Sequence, residues 1–352
     1  MVDIAVIGAG LAGLICARQL QQVGYQVVVI EKSRGLGGRV ATRRLQDTCA
    51  DHGVRYLEDQ GELSQQLIQI LSDRQILHPW LKTPYQLEAE TLHPTSPSLR
   101  YAASAGITSV AKFLATDLEI WRGQRVIAIA PATDQWELQL EPTAGESIPN
   151  FRAKALVVAI PAPQALALIE PLSSVVPTNF LKKLRSVEFE PCLSAIATYP
   201  TVRQQDLANL AEAITFPKDS DLTWLSIESS KRPGDRQPVI VVQSSPEFAQ
   251  RYLDTTDLQP AGQHLLEQAA KLGLLWLNMP ETLQVHRWRY AFASQPLADQ
   301  YLETNAPLPL VCSGDWCGGR QTENALRSGR EAAIAINQQL EQRSMPPINL
   351  LL

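Results

Sequence analysis

The residues best suited to chemistry lie at the start of the chain. Gly8-Ala9-Gly10-Leu11-Ala12-Gly13 spells G-x-G-x-x-G, and Glu31 follows at the end of a second apolar run. Each glycine has its own physical use. Gly8 permits a tight turn, Gly10 lets the backbone approach a pyrophosphate, and Gly13 lets a helix pack closely on a strand. A helix opening at Leu11 and Ala12 offers free N–H groups and partial positive charge to phosphates. A carboxylate at Glu31 can accept both ribose hydroxyls of an adenosine, and it disfavours a 2′-phosphate because two negative groups would meet. This pattern predicts dinucleotide binding. The thiols and imidazoles predict neither a metal nor a thiol centre. Cys16, Cys49, Cys192, Cys312 and Cys317 are scattered and form no C-x-x-C pair, so reduced thiols are expected. His52, His78, His93, His264 and His286 never fall at the i, i+4 spacing of a zinc-binding helix.

The elements needed to position these residues are legible around them. Asp3 to Ile7 is a β-branched run suited to a buried parallel strand, Leu14, Ala17, Arg18 and Leu20 follow at helical spacing, and Gly24 can close that helix. Gln26 to Ile30 is a second strand, so the glycines sit in the strand–turn–helix–strand context their chemistry requires. Farther on, an amphipathic helix is predicted from Glu62 to about Ser72, strands and loops over Pro79 to Leu99, and a helix over Ala105 to Leu114. Strand segments are expected around the turn Arg122-Gly123-Gln124, over Gln135 to Glu141 and over Ala155 to Ile160. Leu308 to Cys312 reads as a short strand. A helix then runs through Ala325, Leu326, Gly329, Ala332, Ala333 and Ile336.

Composition narrows the class. Of 352 residues 45% are hydrophobic and 19% charged, enough apolar matter for two lobes and too much for a disordered chain. The net charge of −5 provides no general footprint for nucleic acid, and no apolar run approaches the roughly 20 residues of a membrane span. The first residues lack the pattern of a cleavable signal, so a cytoplasmic protein is expected.

Beyond Glu31 the run Lys-Ser-Arg-Gly-Leu-Gly37-Gly38-Arg39 resembles the extended FAD fingerprint of the flavin-dependent amine-oxidase superfamily. The resemblance implies that Gly37, Gly38 and Arg39 lie against the FAD pyrophosphate, where bare backbone and a planar cationic fork suit phosphate. Ala50-Asp51-His52-Gly53 resembles the return toward the flavin. The strand ending in Ile160-Pro161-Ala162-Pro163 is similar to the one by which such proteins leave the FAD lobe. Ser313-Gly314-Asp315 and the following helix resemble the second FAD signature, in which the aspartate meets the ribityl chain. The cofactor set implied is Gly8, Gly10, Leu11, Ala12, Gly13, Glu31, Lys32, Gly37, Gly38, Arg39, His52, Gly53, Val126, Gly314, Asp315, Glu323 and Asn324, with FAD held noncovalently. The expected fold is α/β, a Rossmann-type FAD-binding lobe with an inserted α+β substrate lobe. Residues 1–53, 101–170 and 294–352 are assigned to the first lobe, and residues 54–100 and 171–293 to the second.

Three blocks extend the likeness to renalase and its relatives: Trp224 to Glu228 with Lys231-Arg232-Pro233-Gly234, Val239 to Val242 with Ser245-Pro246-Glu247, and His286-Arg287-Trp288-Arg289-Tyr290-Ala291. Two departures stand out. Relatives often carry a histidine just before the Ser-Pro pair, where this chain has Gln243 and Ser244, and Trp316-Cys317-Gly318-Gly319 replaces the usual residues after Gly-Asp. Renalases oxidise 2- and 6-dihydro isomers of NAD(P)H, pass hydride to FAD and return the electrons to O2. The nicotinamide dinucleotide and O2 are therefore the expected small-molecule partners. On this reading Trp288 and Tyr290 wall the ring with His286 orienting it, while Trp224, Arg232 and Arg289 hold substrate. Residue type alone leaves alternatives open. Trp288 suits core packing, Arg289 suits a surface ion pair, and His286 suits a satisfied structural role. A flavin amine oxidase, or an FAD- and NAD(P)-binding sensor with little turnover, is the competing function.

Overall fold

The computed structural model describes residues 2–142, 151–208, 210–232, 234 and 237–345. Two sheets organise the chain. The first has eight strands, and its central order is Glu119–Arg122, Val27–Glu31, Val2–Ile7, Phe151–Val158, Gln135–Leu140, Val126–Ala132. Leu310–Cys312 pairs parallel to the C-terminal half of Phe151–Val158. Val2–Ile7 runs parallel to both its neighbours, and Val27–Glu31 is buried along its whole length, which is why these segments read as unbroken apolar runs. The helix Leu11–Gln22 packs on one face. A Cβ on Gly13 would overlap the Gly8 carbonyl, so only glycine permits that approach. The helix Thr322–Gln339 lies against it just as closely, because a Cβ on Gly329 would overlap the Ala12 carbonyl.

The second sheet has seven strands in the order Thr282–Gln295, Glu188–Thr198, Val239–Ser244, Leu222–Ile227, Ala213–Thr215, Tyr85–Glu88, Thr91–Pro94. One face is backed by the helices Pro246–Arg251 and Gln259–Ala270, whose Phe248, Leu265 and Leu266 share a core with Leu193, Leu225 and Val242. The other face looks toward the first lobe across a two-stranded ribbon of Thr42–Arg44 and Cys49–Asp51, with Ala50 packed against Ile196, Val239 and Val241.

Packing cuts the chain differently from the sequence boundaries in two places. The helix Glu62–Asp73 falls in a stretch assigned to the substrate lobe, yet its Leu63, Leu67 and Leu71 enter the core of the first lobe beside Leu14 and Leu326. The helix Thr178–Arg185 likewise buries Phe180, Leu181 and Leu184 against Ile7 and Leu156. Both helices follow their apolar stripes, and a linear boundary cannot show which sheet a stripe will face. Pro233 of the second block lies outside the described residues.

Candidate active site

The dinucleotide cradle forms where the first strand meets the first helix. Gly8 adopts φ 105°, and Gly10 caps the helix without any side-chain bond, so the N–H groups of the first turn have no side-chain partner among the described residues. A Cβ built on Gly10 would meet nothing within 4 Å, which leaves space directly above those groups. The Glu31 carboxylate bounds one side, accepting the Ala9 N–H at 2.9 Å and the Ser33 N–H at 2.7 Å. The second glycine run closes the other side. The Gly37 N–H donates to the Ala9 carbonyl at 2.8 Å, and Gly38, with φ 58°, lies over Gly10. Leu11 and Ala12 are buried in the first helical turn. Val126 begins a strand just beyond Gln124, whose N–H donates to the Glu31 carbonyl. Lys32 is exposed and bonds Gln164.

Arg39 and Asp315 arrive from opposite ends of the chain and meet. The Arg39 guanidinium donates to both Asp315 oxygens, at 2.7 and 2.5 Å, and to the Ala291 carbonyl at 3.0 Å. Gly314 donates its N–H to the Ser328 hydroxyl, and its missing Cβ makes room for the buried Trp316 indole. This bare, uncapped cradle of backbone N–H groups fits the diphosphate of a dinucleotide such as FAD, and Gly8, Gly10, Gly13, Gly37, Gly38 and Arg39 are the residues that would hold it, with Glu31 at its side.

Two residues of the implied set are engaged elsewhere. Glu323 is buried, and its carboxylate accepts the Ser64 N–H at 2.7 Å and the Leu63 N–H at 3.4 Å, with Arg327 also in contact. It caps the helix Glu62–Asp73, whose own N-cap is Gly61 and offers no side chain. Asn324 forms a capping box with Gln321 and donates to the Gly318 carbonyl. Both side chains therefore serve helix ends.

The wall of the second lobe comes from alternation along Thr282–Gln295. His286 and Trp288 fall on one side of the strand and Arg287 on the other, while the pairing with Glu188–Thr198 becomes irregular between Trp288 and Phe292, where Arg289 and Tyr290 lie. The His286 ring lies 4.8 Å from His52 and 4.2 Å from Trp288, and Trp288 stacks on His52 at 5.2 Å. The His52 carbonyl fixes this cluster by accepting the Trp288 indole N–H at 2.8 Å and the Ser194 hydroxyl at 2.7 Å. Gly53 is held against the Arg39 carbonyl, where any Cβ would overlap. Tyr290 sits farther along, edge-on to Phe189. Burial pushes the His52 imidazole down to about 3, helped by His286 and Arg43, and pushes His286 down to about 4, helped by Arg43 and Arg287. Both rings are neutral at pH 7.

The expected substrate residues do not join this cluster. Trp224 is buried, with Arg55 stacked 4.6 Å from its ring and Tyr56 beside it. Arg289 is on the outer face, bonded to Asp254 and the Leu253 carbonyl. Arg232 is buried in a quartet with Asp51, Glu228 and Lys231. Lys231, fully buried, reaches Glu228 at 2.6 Å and the Arg55 carbonyl at 2.7 Å, and Arg232 bonds the Glu228 carbonyl and lies 3.4 Å from Asp51. Two acids and two cations compensate each other there, which is the condition for burying them. Gln243 and Arg55 were not among the expected site residues, although the absence of histidine at Gln243 marked the position. Gln243 donates to the His52 and Gly53 carbonyls and accepts from Arg55.

Comparisons with known proteins bear on the family and the fold. Residues 6–72 match the family described as an NAD(P)-binding Rossmann-like domain, and residues 85–337 match flavin containing amine oxidoreductase. Cyclohexylamine oxidase from Brevibacterium oxydans IH-35A has the same fold, with a TM-score of 0.71 and 14% identity over 97% of this chain and 99% of that one. Putrescine oxidase bound to putrescine gives 0.70 and 13% over 96% and 99%. Among curated proteins, the L-tryptophan oxidase RebO of Lentzea aerocolonigenes is 54% identical over 41 residues, 12% of this chain and 9% of its own length. Lysine-specific histone demethylase 1 homolog 1 of Arabidopsis thaliana is 44% identical over 59 residues, 17% of this chain and 7% of that protein. The matched segments are thus small parts of these curated relatives. With most of its length matching the family, the chain belongs to the flavin-containing amine oxidoreductases and is an FAD-dependent oxidoreductase.

Proposed function

We propose that the chain is a renalase-type oxidase that takes hydride from a 2- or 6-dihydro-NAD(P) substrate, with FAD held noncovalently and O2 as terminal acceptor. The observation that carries this reading is the character of the wall. His52, His286 and Trp288 form an aromatic cluster of neutral rings, with His52 stacked on Trp288 and His286 edge-on to both, and the acids and the lysine behind it are committed to one another. When bound, FAD supplies a two-electron hydride acceptor whose reoxidation by O2 yields hydrogen peroxide. Hydride loss from a dihydropyridine restores an aromatic ring, so the substrate needs no general base. It needs orientation, and an aromatic wall of neutral rings is suited to hold a nicotinamide. Their neutrality suits an oxidation that leaves a pyridinium cation, because a charged imidazole beside it would oppose the product. Lys231, with Glu228 at 2.6 Å and the Arg55 backbone carbonyl as a second acceptor, is engaged in the quartet and is not free to hold a water for amine oxidation.

Anaerobic stopped-flow reduction of the purified flavoprotein tests the reading. The panel is 2- and 6-dihydro-NAD(P), ordinary NADH and NADPH, cyclohexylamine and putrescine. The expected result is flavin bleaching by the dihydro isomers at least tenfold faster than by any other compound. Fastest bleaching by an amine would replace the proposal with amine oxidation. Equally slow bleaching by all would leave a binding protein.

A further inference from the structure

Arg43 and His52 share one face of the ribbon between the two lobes. The register pairs Arg43 with Ala50, and the His52 N–H extends the ladder to the Ala41 carbonyl at 3.1 Å. Side chains alternate along a strand, so Ala41, Arg43, Ala50 and His52 project together. That face meets the second sheet, where Ala50 packs on Ile196 and Val241 and the His52 ring approaches His286. The opposite face carries Thr42 and Asp51, which bond each other at 2.7 Å. Arg43 therefore lies beside the imidazole–indole cluster.

Its electrostatic position differs from that of the arginines around it. Arg39 has Asp315, Arg55 has Gln243, Arg232 has Asp51 and Glu228, and Arg287 has the Tyr252 and Thr255 carbonyls. Among the described residues Arg43 has no acceptor, and its Nε is shielded from solvent with no hydrogen bond. The neighbouring imidazoles are pushed down in part by its charge, and neither carries a negative charge to balance it. His52 is itself 5% exposed, with an unpartnered Nδ1. A half-buried guanidinium fork beside two neutral rings lacks an anion, and phosphate and carboxylate both match its geometry.

We infer that Arg43 is the anion anchor of the substrate cleft and takes a phosphate of the nucleotide whose ring lies against His52, His286 and Trp288. This deepens the dihydronicotinamide reading and rests on it for the phosphate. A cationic amine would meet an uncompensated positive charge at the same place.

The test is binding to the oxidised holoprotein, followed by the perturbation of flavin absorbance, for two ligand pairs. Nicotinamide mononucleotide and nicotinamide riboside differ by one phosphate. Benzoate and benzamide differ by one anionic charge and contain no nicotinamide. The wild-type protein should bind the mononucleotide at least tenfold more tightly than the riboside. Arg43→Met and Arg43→Gln should erase that gap, and Arg43→Lys should retain part of it, while the resting flavin spectrum reports that each variant still holds its cofactor. If neither nicotinamide compound binds but benzoate outcompetes benzamide in an Arg43-dependent way, the anchor stands and the nicotinamide reading falls. If neither pair shows an Arg43-dependent preference for the anion, the anchor itself is wrong.

Discussion

Acidification should weaken this fold through two imidazoles. His52 and His286 have ordinary values near 6.5 when unfolded and are pushed down to about 3 and about 4 in the folded chain by burial, helped at both rings by the charge of Arg43 and at His286 also by that of Arg287. The sign follows from the depressed folded values. Above pH 6.5 neither state binds the proton and the stability is fully present. As the pH falls below that, the unfolded chain takes up protons that the folded chain refuses, and stability is lost until the folded rings also titrate. At about pH 5 the unfolded state gains roughly 2 kcal/mol per imidazole, because about 1.5 pH units separate that pH from the unfolded value. The pair together is worth up to about 4 kcal/mol, with His286 contributing less because it is nearer solvent. Against a typical total of about 5–15 kcal/mol, that is a large fraction. Urea unfolding of the wild type and of His52→Asn/His286→Asn, at about pH 7 and about pH 5 with FAD held at one saturating concentration, isolates the effect from cofactor linkage. The wild type should lose about 2–4 kcal/mol more than the double variant over that interval. Equal losses would refute the claim that burial keeps these rings neutral.

Three further outcomes follow from the site. Gly10→Ala should fold normally and lose flavin, since its Cβ meets no protein atom, whereas Gly13→Ala should impair folding because its Cβ overlaps the Gly8 carbonyl; circular dichroism and flavin content separate the two. Lys231→Met should cost about 3–5 kcal/mol in denaturant unfolding, because Glu228 and Asp51 would be left with one cation in a solvent-free site. Glu323→Gln should cost about 1–3 kcal/mol through the cap of the helix Glu62–Asp73 while leaving flavin content unchanged; loss of flavin at unchanged stability would restore Glu323 to the cofactor.

The cofactor half of this protein is local in sequence, and that is why it is legible. Gly8 to Gly13, Glu31 and Gly37 to Arg39 work through backbone conformation and short spacings, and such demands are visible as residue types at set intervals. The strands that carry them are buried on both faces, so their apolar runs announce them. Strand alternation allows only about half of the side chains from Val285 to Ala291 to face the first lobe, but it does not say which half. That choice depends on which side of the strand the Gln259–Ala270 helix covers: Leu283 and Val285 pack toward that helix, so His286 and Trp288 turn to the first lobe.

Charge pairing was the part that tertiary structure alone decided. Nothing in the sequence distinguishes Arg232, which enters a buried quartet with Asp51 of the Cys49–Asp51 strand, from Arg43, which has no acceptor among the described residues. Nor does it show that Glu323 would travel to the end of a helix 259 residues earlier in the chain. An arginine or a carboxylate reads the same whether it meets a ligand, a helix end or another side chain. Its partner is settled by long-range packing, which brings distant charges into solvent-poor contact where each must be compensated.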